Sequence, residues 1–179
     1  MGHEHRARMV GEVRFAVIVT SDALSERRAR GEEVVDEAGD LAVKLIVEGG
    51  FKVVYRDLVP NDPARIRLSV DRAIDAGADI VLVTGGTGLG PRDVSIDALA
   101  PLFSRRIPGF GELFRSLSYA EVGSAAMLSR CDAGVYRGSA VFVTPGSPHA
   151  VRLALAKLIL PEARHLVAEM RGVAAGAHR

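Results

Sequence analysis

IVLVTGGTGLGPRD, Ile80 to Asp93, runs from an apolar, β-branched stretch into a glycine-rich loop, and a helical pattern begins at Ser95. An unbroken apolar run of this length fits a strand buried on both faces, which is the habit of parallel sheets. In the loop, Thr84-Gly85-Gly86-Thr87-Gly88 allows close backbone approach and lets successive amides point at an anion. The helix start that follows adds a favourable dipole. The same glycines also suit a tight strand-to-helix turn that needs positive φ. Three glycines and two threonines exceed what a turn requires, so phosphate binding is the favoured reading. Two familiar phosphate patterns fail. A dinucleotide G-x-G-x-x-G run from Gly86 meets Pro91 at its last position, and a P-loop needs Lys after Gly90 where the chain has Pro91-Arg92.

Outward from this stretch, β-branched runs alternate with helical patterns. Val13 to Thr20 (VRFAVIVT) reads as a buried strand, Ser21 to Gly31 as a polar loop, and Glu33 to Glu48 as an amphipathic helix stopped by Gly49-Gly50. Phe51 to Leu58 is a second strand. Asp62-Pro63 opens a helix, with Asp as N-cap and Pro in the first turn, and Gly77 closes it. Phe110, Leu113, Phe114 and Leu117 mark a helix after the Pro108-Gly109 break. Ser139 to Thr144 is a strand beside which Gly134 to Tyr136 can pair. Pro145 to Pro148 is a sharp turn before a final helix, and Pro161 is expected to begin a new helical segment. This alternation implies a mostly parallel sheet covered on both faces by helices. Ligands in such folds bind beyond the carboxyl ends of the strands. The loops at Ser21-Asp22, Pro60 to Asp62, Gly85 to Asp93 and Pro145 to Pro148 should therefore meet at one edge.

The chain has 179 residues, 48% hydrophobic and 25% charged, enough for one domain. That domain is expected at 13–171, between mobile tails at 1–12 and 172–179. The longest apolar run, Phe15 to Val19, is far short of the roughly 20 residues of a membrane span. MGHEHRARMVGE lacks the apolar segment of a secretory signal, so the expected compartment is the cytoplasm. One cysteine, Cys131, fits a reducing compartment. A net charge of +1 gives no footprint for nucleic acid.

The chemistry-bearing residues each have a plain alternative. Arg92 can fork onto a phosphate and Asp93 can hold Mg²⁺ bound to phosphates, or the two form a surface pair. By spacing alone, Asp62 is an N-cap. Ser129-Arg130 reads as a solvated loop pair, Glu112 and Arg115 as a surface pair, Ser147 as a cap and Cys131 as a packed residue. His149 reads as a capping or solvated side chain. There is no zinc-ligand spacing and no G-x-S-x-G elbow.

Three separated motifs, TGGTGLGPRDVSIDAL (Thr84 to Leu99), IPGFGELFRSLSYAEVGSAAMLSR (Ile107 to Arg130) and TPGSPHAV (Thr144 to Val151), resemble the molybdopterin adenylyltransferase family of the MogA/MoaB type. The likeness runs from about Arg14 to Arg171, and FGELFRSLSYAEVG is closer to the MoaB branch. The resemblance implies a three-layer α/β/α fold, usually trimeric and often hexameric in that branch. It also implies an activity: Mg²⁺-dependent transfer of AMP from ATP to the terminal phosphate of molybdopterin, releasing pyrophosphate, ahead of molybdate or tungstate insertion. By position, Asp62 and Asp93 match the family's important acids and candidate metal ligands. Gly85, Gly86, Thr87 and Gly88 match its phosphate loop, and Ser129 and Ser147 match polar contacts. Ser21, Asp22, Arg92, Glu112, Arg130, Pro145 and Gly146 complete the expected binding set. The chain departs from the pattern at Cys131-Asp132, often Ala-Val, and at Asp36-Glu37-Ala38-Gly39, usually Asp-Thr-Ser-Gly or similar. A non-catalytic molybdopterin-binding or scaffolding module on the same fold is the competing expectation. Apolar helix faces such as Phe110, Phe114 and Leu117 are the surface expected to drive self-association.

Overall fold

The computed structural model describes residues 10–172. Strand β1 (Arg14–Thr20) is followed by α1 (Asp22–Ala29), α2 (Glu37–Glu48), β2 (Lys52–Val59), α3 (Pro63–Asp75) and β3 (Ile80–Thr84). Beyond the glycine loop come α4 (Ser95–Leu99), a 3-10 turn, the short β4 (Arg105–Arg106), α5 (Pro108–Val122) and a 3-10 segment at Gly123–Leu128. The chain continues through β5 (Asp132–Tyr136), β6 (Ser139–Thr144), α6 (Pro148–Leu153), a π-helical turn (Ala154–Ile159) and α7 (Leu160–Met170).

The six strands form one sheet in the order β2-β1-β3-β6-β5-β4. β2, β1, β3 and β6 run parallel, and β5 and β4 add an antiparallel edge. Alternation along each central strand divides the core in two. Phe15, Val17, Ile80, Leu82, Ala140 and Phe142 face α2, α5, α6 and α7. Ala16, Ile18, Val81, Val83, Val141 and Val143 face α3 and α4. Strands buried on both sides cannot show a polar face, which is why they read as continuous apolar runs. The result is the expected three-layer α/β/α arrangement. Val10, at the inner end of the expected N-terminal tail, is buried and joins this core. Residues 1–9 and 173–179 of the two expected tails lie outside the described residues. Among the described residues, no helix is long and apolar enough to cross a membrane.

Several local expectations need correction. Ser21 to Gly31 is not a loop: it contains α1, a helix with no buried residue. Polar on all sides, α1 has no apolar period to read. It is held by its ends, with Ser21 accepting from the Leu24 N–H, Asp22 in the first turn and Arg27 and Arg28 in the last. α2 begins at Glu37 rather than Glu33, because Asp36 caps it by accepting from the Gly39 N–H at 3.0 Å. Pro161 does not start a separate segment. Leu153, Ala154, Ile159 and Leu160 all keep right-handed helical dihedrals, so the helix runs on through the π turn. That widened turn lies directly before Pro161 and accommodates a ring that would meet the Lys157 carbonyl in a regular α-helix. Phe110 and Phe114 are buried inside the chain rather than offered to a partner, and Leu117 packs on the same core. The outward residues of this region are Leu113, Tyr119, Val122, Met127 and Leu128.

The two faces of the helical layer differ in energetic weight. Phe114 is 1% exposed, whereas Val47 on α2 is 56% exposed. Phe114→Ala should cost about 3–5 kcal/mol in urea unfolding, and Val47→Ala should stay within about 0.5 kcal/mol. Equal costs would contradict this assignment of inner and outer faces.

Candidate functional site

The chain leaves β1 to build β2 on one side, then returns to build β3 on the other. The carboxyl ends of β1 and β3 therefore part company, and a crevice opens between the loops that follow them. A cleft of about 640 Å³ lies there. Its walls come from Ser21 and Leu24, the Asp36 cap region, the glycine loop, Ser129-Arg130, and Pro145-Gly146.

Two glycines in the loop are required by geometry. Gly85 has φ +104°, and a Cβ there would lie 2.3 Å from the carbonyl oxygen of Thr20. Gly86 has φ +61°, and a Cβ would lie 2.3 Å from Asn61 Oδ1. The loop is braced from behind. The Gly85 N–H donates to the Thr144 carbonyl at 2.9 Å, the Ser95 N–H to the Gly86 carbonyl at 2.9 Å, and Ser95 Oγ to the Gly85 carbonyl at 2.8 Å. Thr84 Oγ1 donates to the Pro145 carbonyl at 2.9 Å, joining the β3 and β6 loops. Among the described residues, the amides of Gly86, Thr87 and Gly88 have no hydrogen-bond acceptor. They form a run of fixed donors at the cleft, as an anion site requires.

The other expected residues are distributed unevenly. Asp93 lines the cleft; its Oδ2 accepts from the Gly90 N–H at 3.0 Å, leaving Oδ1 without a protein partner. Arg130 reaches over the loop, with Nη1 donating to the Gly88 carbonyl at 3.0 Å and Nη2 to Asp97 at 3.0 Å. Ser147 caps α6 by accepting from the Ala150 N–H at 3.1 Å, and its neighbours Gly146 and Pro148 line the cleft. Asp22 and Arg92 form a 2.8 Å ion pair at the rim. Burial works to raise the Asp22 pKa, but hydrogen bonds from Arg92 and from the backbone and side chain of Asn61 outweigh it, and the carboxyl is held below its ordinary value. Five expected residues do not line the cleft: Asp22, Arg92, Ser147, Asp62 and Glu112. Asp62 is exposed and caps α3 by accepting from the Arg65 N–H at 2.8 Å. Glu112 is exposed on α5, and its expected partner Arg115 instead approaches Cys131 Sγ at 3.7 Å. Cys131 is buried, which pushes its thiol up to about 11, so it is protonated at neutral pH and no nucleophile.

Sequence reasoning missed Asn61. Its N–H and Nδ2 donate to the two Asp22 oxygens at 2.9 and 3.3 Å, while its Oδ1 is buried against Gly86 with no hydrogen-bond partner. An Asn directly before an Asp-Pro cap reads as ordinary turn chemistry, and only the fold shows which neighbour of the cap turns inward. Among the described residues, no group of three or more His, Cys, Asp or Glu side chains could hold a metal ion.

Comparison with known proteins agrees with this arrangement. Residues 16–165 match the family described as a probable molybdopterin binding domain. The chain is 43% identical over 170 residues to molybdenum cofactor biosynthesis protein B of Bacillus subtilis (strain 168), spanning 94% of this chain and 96% of that one. The crystal structure of the tungsten cofactor synthesizing protein MoaB from Pyrococcus furiosus superposes with a TM-score of 0.81 at 38% identity, covering 90% of this chain and 98% of that one. A crystal structure of a molybdenum cofactor biosynthesis protein B gives a TM-score of 0.82 at 42% identity, covering 90% and 97%. Sequence and backbone superposition agree over nearly the whole described length, and the chain belongs to the MogA/MoaB family, in its MoaB branch.

Proposed function

We propose that this chain acts in molybdenum or tungsten cofactor biosynthesis by transferring AMP from ATP to the terminal phosphate of molybdopterin, with release of pyrophosphate. The observation that carries the reading is the run of unpartnered amides at Gly86, Thr87 and Gly88, set on a braced loop in the cleft at the topological switch point. Relatives named for molybdenum and tungsten cofactor synthesis supply the substrate class.

The residues present suit the reaction. A phosphate monoester has its second pKa near ~6, so its attacking oxygen is anionic at neutral pH. That oxygen forms a bond to the α-phosphorus of ATP, the bond to the β-phosphate oxygen breaks, and pyrophosphate leaves with its electron pair. No general base or protein nucleophile is needed, in keeping with a cleft whose lining lacks histidine and cysteine. The task left to the protein is positioning and charge stabilisation by fixed donors. Mg²⁺ is usually held by one or two carboxylates together with substrate phosphates. Asp93, with an open Oδ1 beside the phosphate loop, fits that pattern and would hold the ion, which would supply charge neutralisation at the polyphosphate. Asp62 is the second candidate acid, one residue beyond the inward-facing Asn61.

Incubation with molybdopterin, ATP and Mg²⁺ tests the reading, with the adenylylated pterin and pyrophosphate measured together. Tight pterin binding without product would favour the non-catalytic module instead.

Two substitutions separate the roles of the acids. Asp93→Asn keeps the acceptor for Gly90 but removes the charge. It should fold normally, retain pterin affinity and lose transfer by about 100-fold or more, the scale of one transition-state electrostatic contact. Unchanged turnover and an unchanged Mg²⁺ requirement would remove Asp93 from the metal role. Asp62→Asn should leave the melting temperature unaltered, because Asn caps about as well as Asp, while transfer falls. A variant with wild-type turnover would leave Asp62 a cap alone.

We further propose a threefold assembly, trimer or hexamer, built on the outward apolar set Leu113, Tyr119, Val122, Met127 and Leu128. Leu128 also lines the cleft, so this surface borders the site. Sedimentation at micromolar concentration should show the oligomer, and Val122→Asp should shift it toward monomer. A wild-type protein that sediments only as monomer would refute the assembly.

A further inference from the structure

A second cavity of about 510 Å³ is lined by α1, α3 and the end of β2. Its chemistry is cationic. Arg65 and Arg72 line it from α3, seven residues apart on one helical stripe, which is about 10 Å along the axis. Among the described residues, neither guanidinium has a hydrogen bond or ion pair, whereas Arg56, Arg106, Arg130 and Arg137 are all paired with carboxylates. Arg28 faces them from α1, anchored to the Leu58 carbonyl and 4.0 Å from Asp57.

The carboxylates at the cavity offset this charge only in part, because three arginines face two acids, Asp57 and Glu26. Asp57 is engaged on several sides: it accepts from Ser69 Oγ at 2.8 Å, from the Leu58 N–H at 2.8 Å and from Tyr55 Oη at 3.1 Å. Glu26 is exposed at the rim and is the only other acid in the lining. Ser25, in the same wall, contributes a hydroxyl whose Oγ has no hydrogen-bond partner.

We propose that this groove is a second anion site, distinct from the cleft, that takes a diphosphate group, either free or carried by a nucleoside. Guanidinium forks match phosphate oxygens bidentately. Two of them spread along α3, with a third opposite, suit two linked phosphoryl groups better than one. The inference does not depend on the adenylyl-transfer reading, because none of these residues belongs to the cleft machinery.

Amide NMR of the full chain, titrated in Mg²⁺-free, low-salt buffer, tests it with two probes, inorganic pyrophosphate and ADP. Saturable shifts are expected over residues 25–30 and 65–72. Their midpoint should differ from that of any shifts at residues 85–90. In the Arg65→Gln/Arg72→Gln double variant the groove affinity should weaken at least about tenfold, the scale of losing charge-assisted hydrogen bonds. The response at residues 85–90 should persist and serve as the check that the variant is folded. Replacing each arginine singly should give intermediate losses. Equal affinity for both probes assigns the site to the diphosphate itself, and tighter ADP binding adds a nucleoside contact. Absence of saturable groove shifts up to millimolar probe, or groove shifts untouched in the double variant, would overturn the proposal.

Discussion

The carbonyl oxygen of Thr20 occupies the space a side chain at position 85 would need. This close approach brings the end of β1 against the start of the loop after β3, at the point where the chain reverses its direction of sheet growth. The braces described above depend on it. Ser95 can reach both the Gly85 carbonyl and Thr20 Oγ1 because those atoms are adjacent, and Thr84 can reach Pro145 because β3 and β6 are in register to their last residues. With the loop's carbonyls engaged behind, its amides are left facing the cleft. An anion bound there meets donors already fixed in place, without the ordering cost of a mobile loop.

The charged groups at the cleft are arranged around this fixed backbone rather than replacing it. Arg130 holds the Gly88 carbonyl from outside, and Arg92 is drawn to Asp22 rather than left free. Asn61 completes that pair with two donated hydrogen bonds and turns its own oxygen toward Gly86. A carboxylate in place of the Asn61 amide would keep the backbone N–H bond but lose the Nδ2 donor and face the Asp22 carboxylate with a second negative charge. Against the opposing effect of burial, Arg92 first, then the backbone and side chain of Asn61, hold the Asp22 carboxyl below its ordinary value.

The legible parts of the fold were those that burial writes into composition. The central strands β1, β3 and β6 are marked by continuous apolar runs, and α3 by Asp62-Pro63 and Gly77, because each needs residue types that few alternatives satisfy. α1 was invisible for the converse reason: it buries nothing, so only Ser21 and the end charges mark it. The glycine loop and Asp93 were readable as a candidate phosphate site. The inward turn of Asn61 was not, since local capping rules treat Asn61-Asp62-Pro63 as one turn and do not say which side chain faces the sheet edge. The apolar residues of α5 mark a helix, but not which of them face inward. Phe110, Phe114 and Leu117 fill the chain's own core, and the outward set begins with Leu113, which pattern alone grouped with them.

A site that lacks a nucleophile places a particular demand on its scaffold. Cys131 is buried and protonated, and His149 pairs at 2.6 Å with Glu121, outside the cleft lining. No side chain in the lining can form a covalent intermediate by the usual Ser–His or Cys–His route. Whatever acceleration such a cleft achieves must come from holding reactants in line and stabilising charge, and both fall off quickly when a donor moves by an ångström. That demand accounts for the concentration of backbone-to-hydroxyl bracing at Thr20, Thr84 and Ser95, all buried, around a loop whose front face is left open. In this fold the precision of the amide-lined cleft is supplied by the sheet edge beneath it.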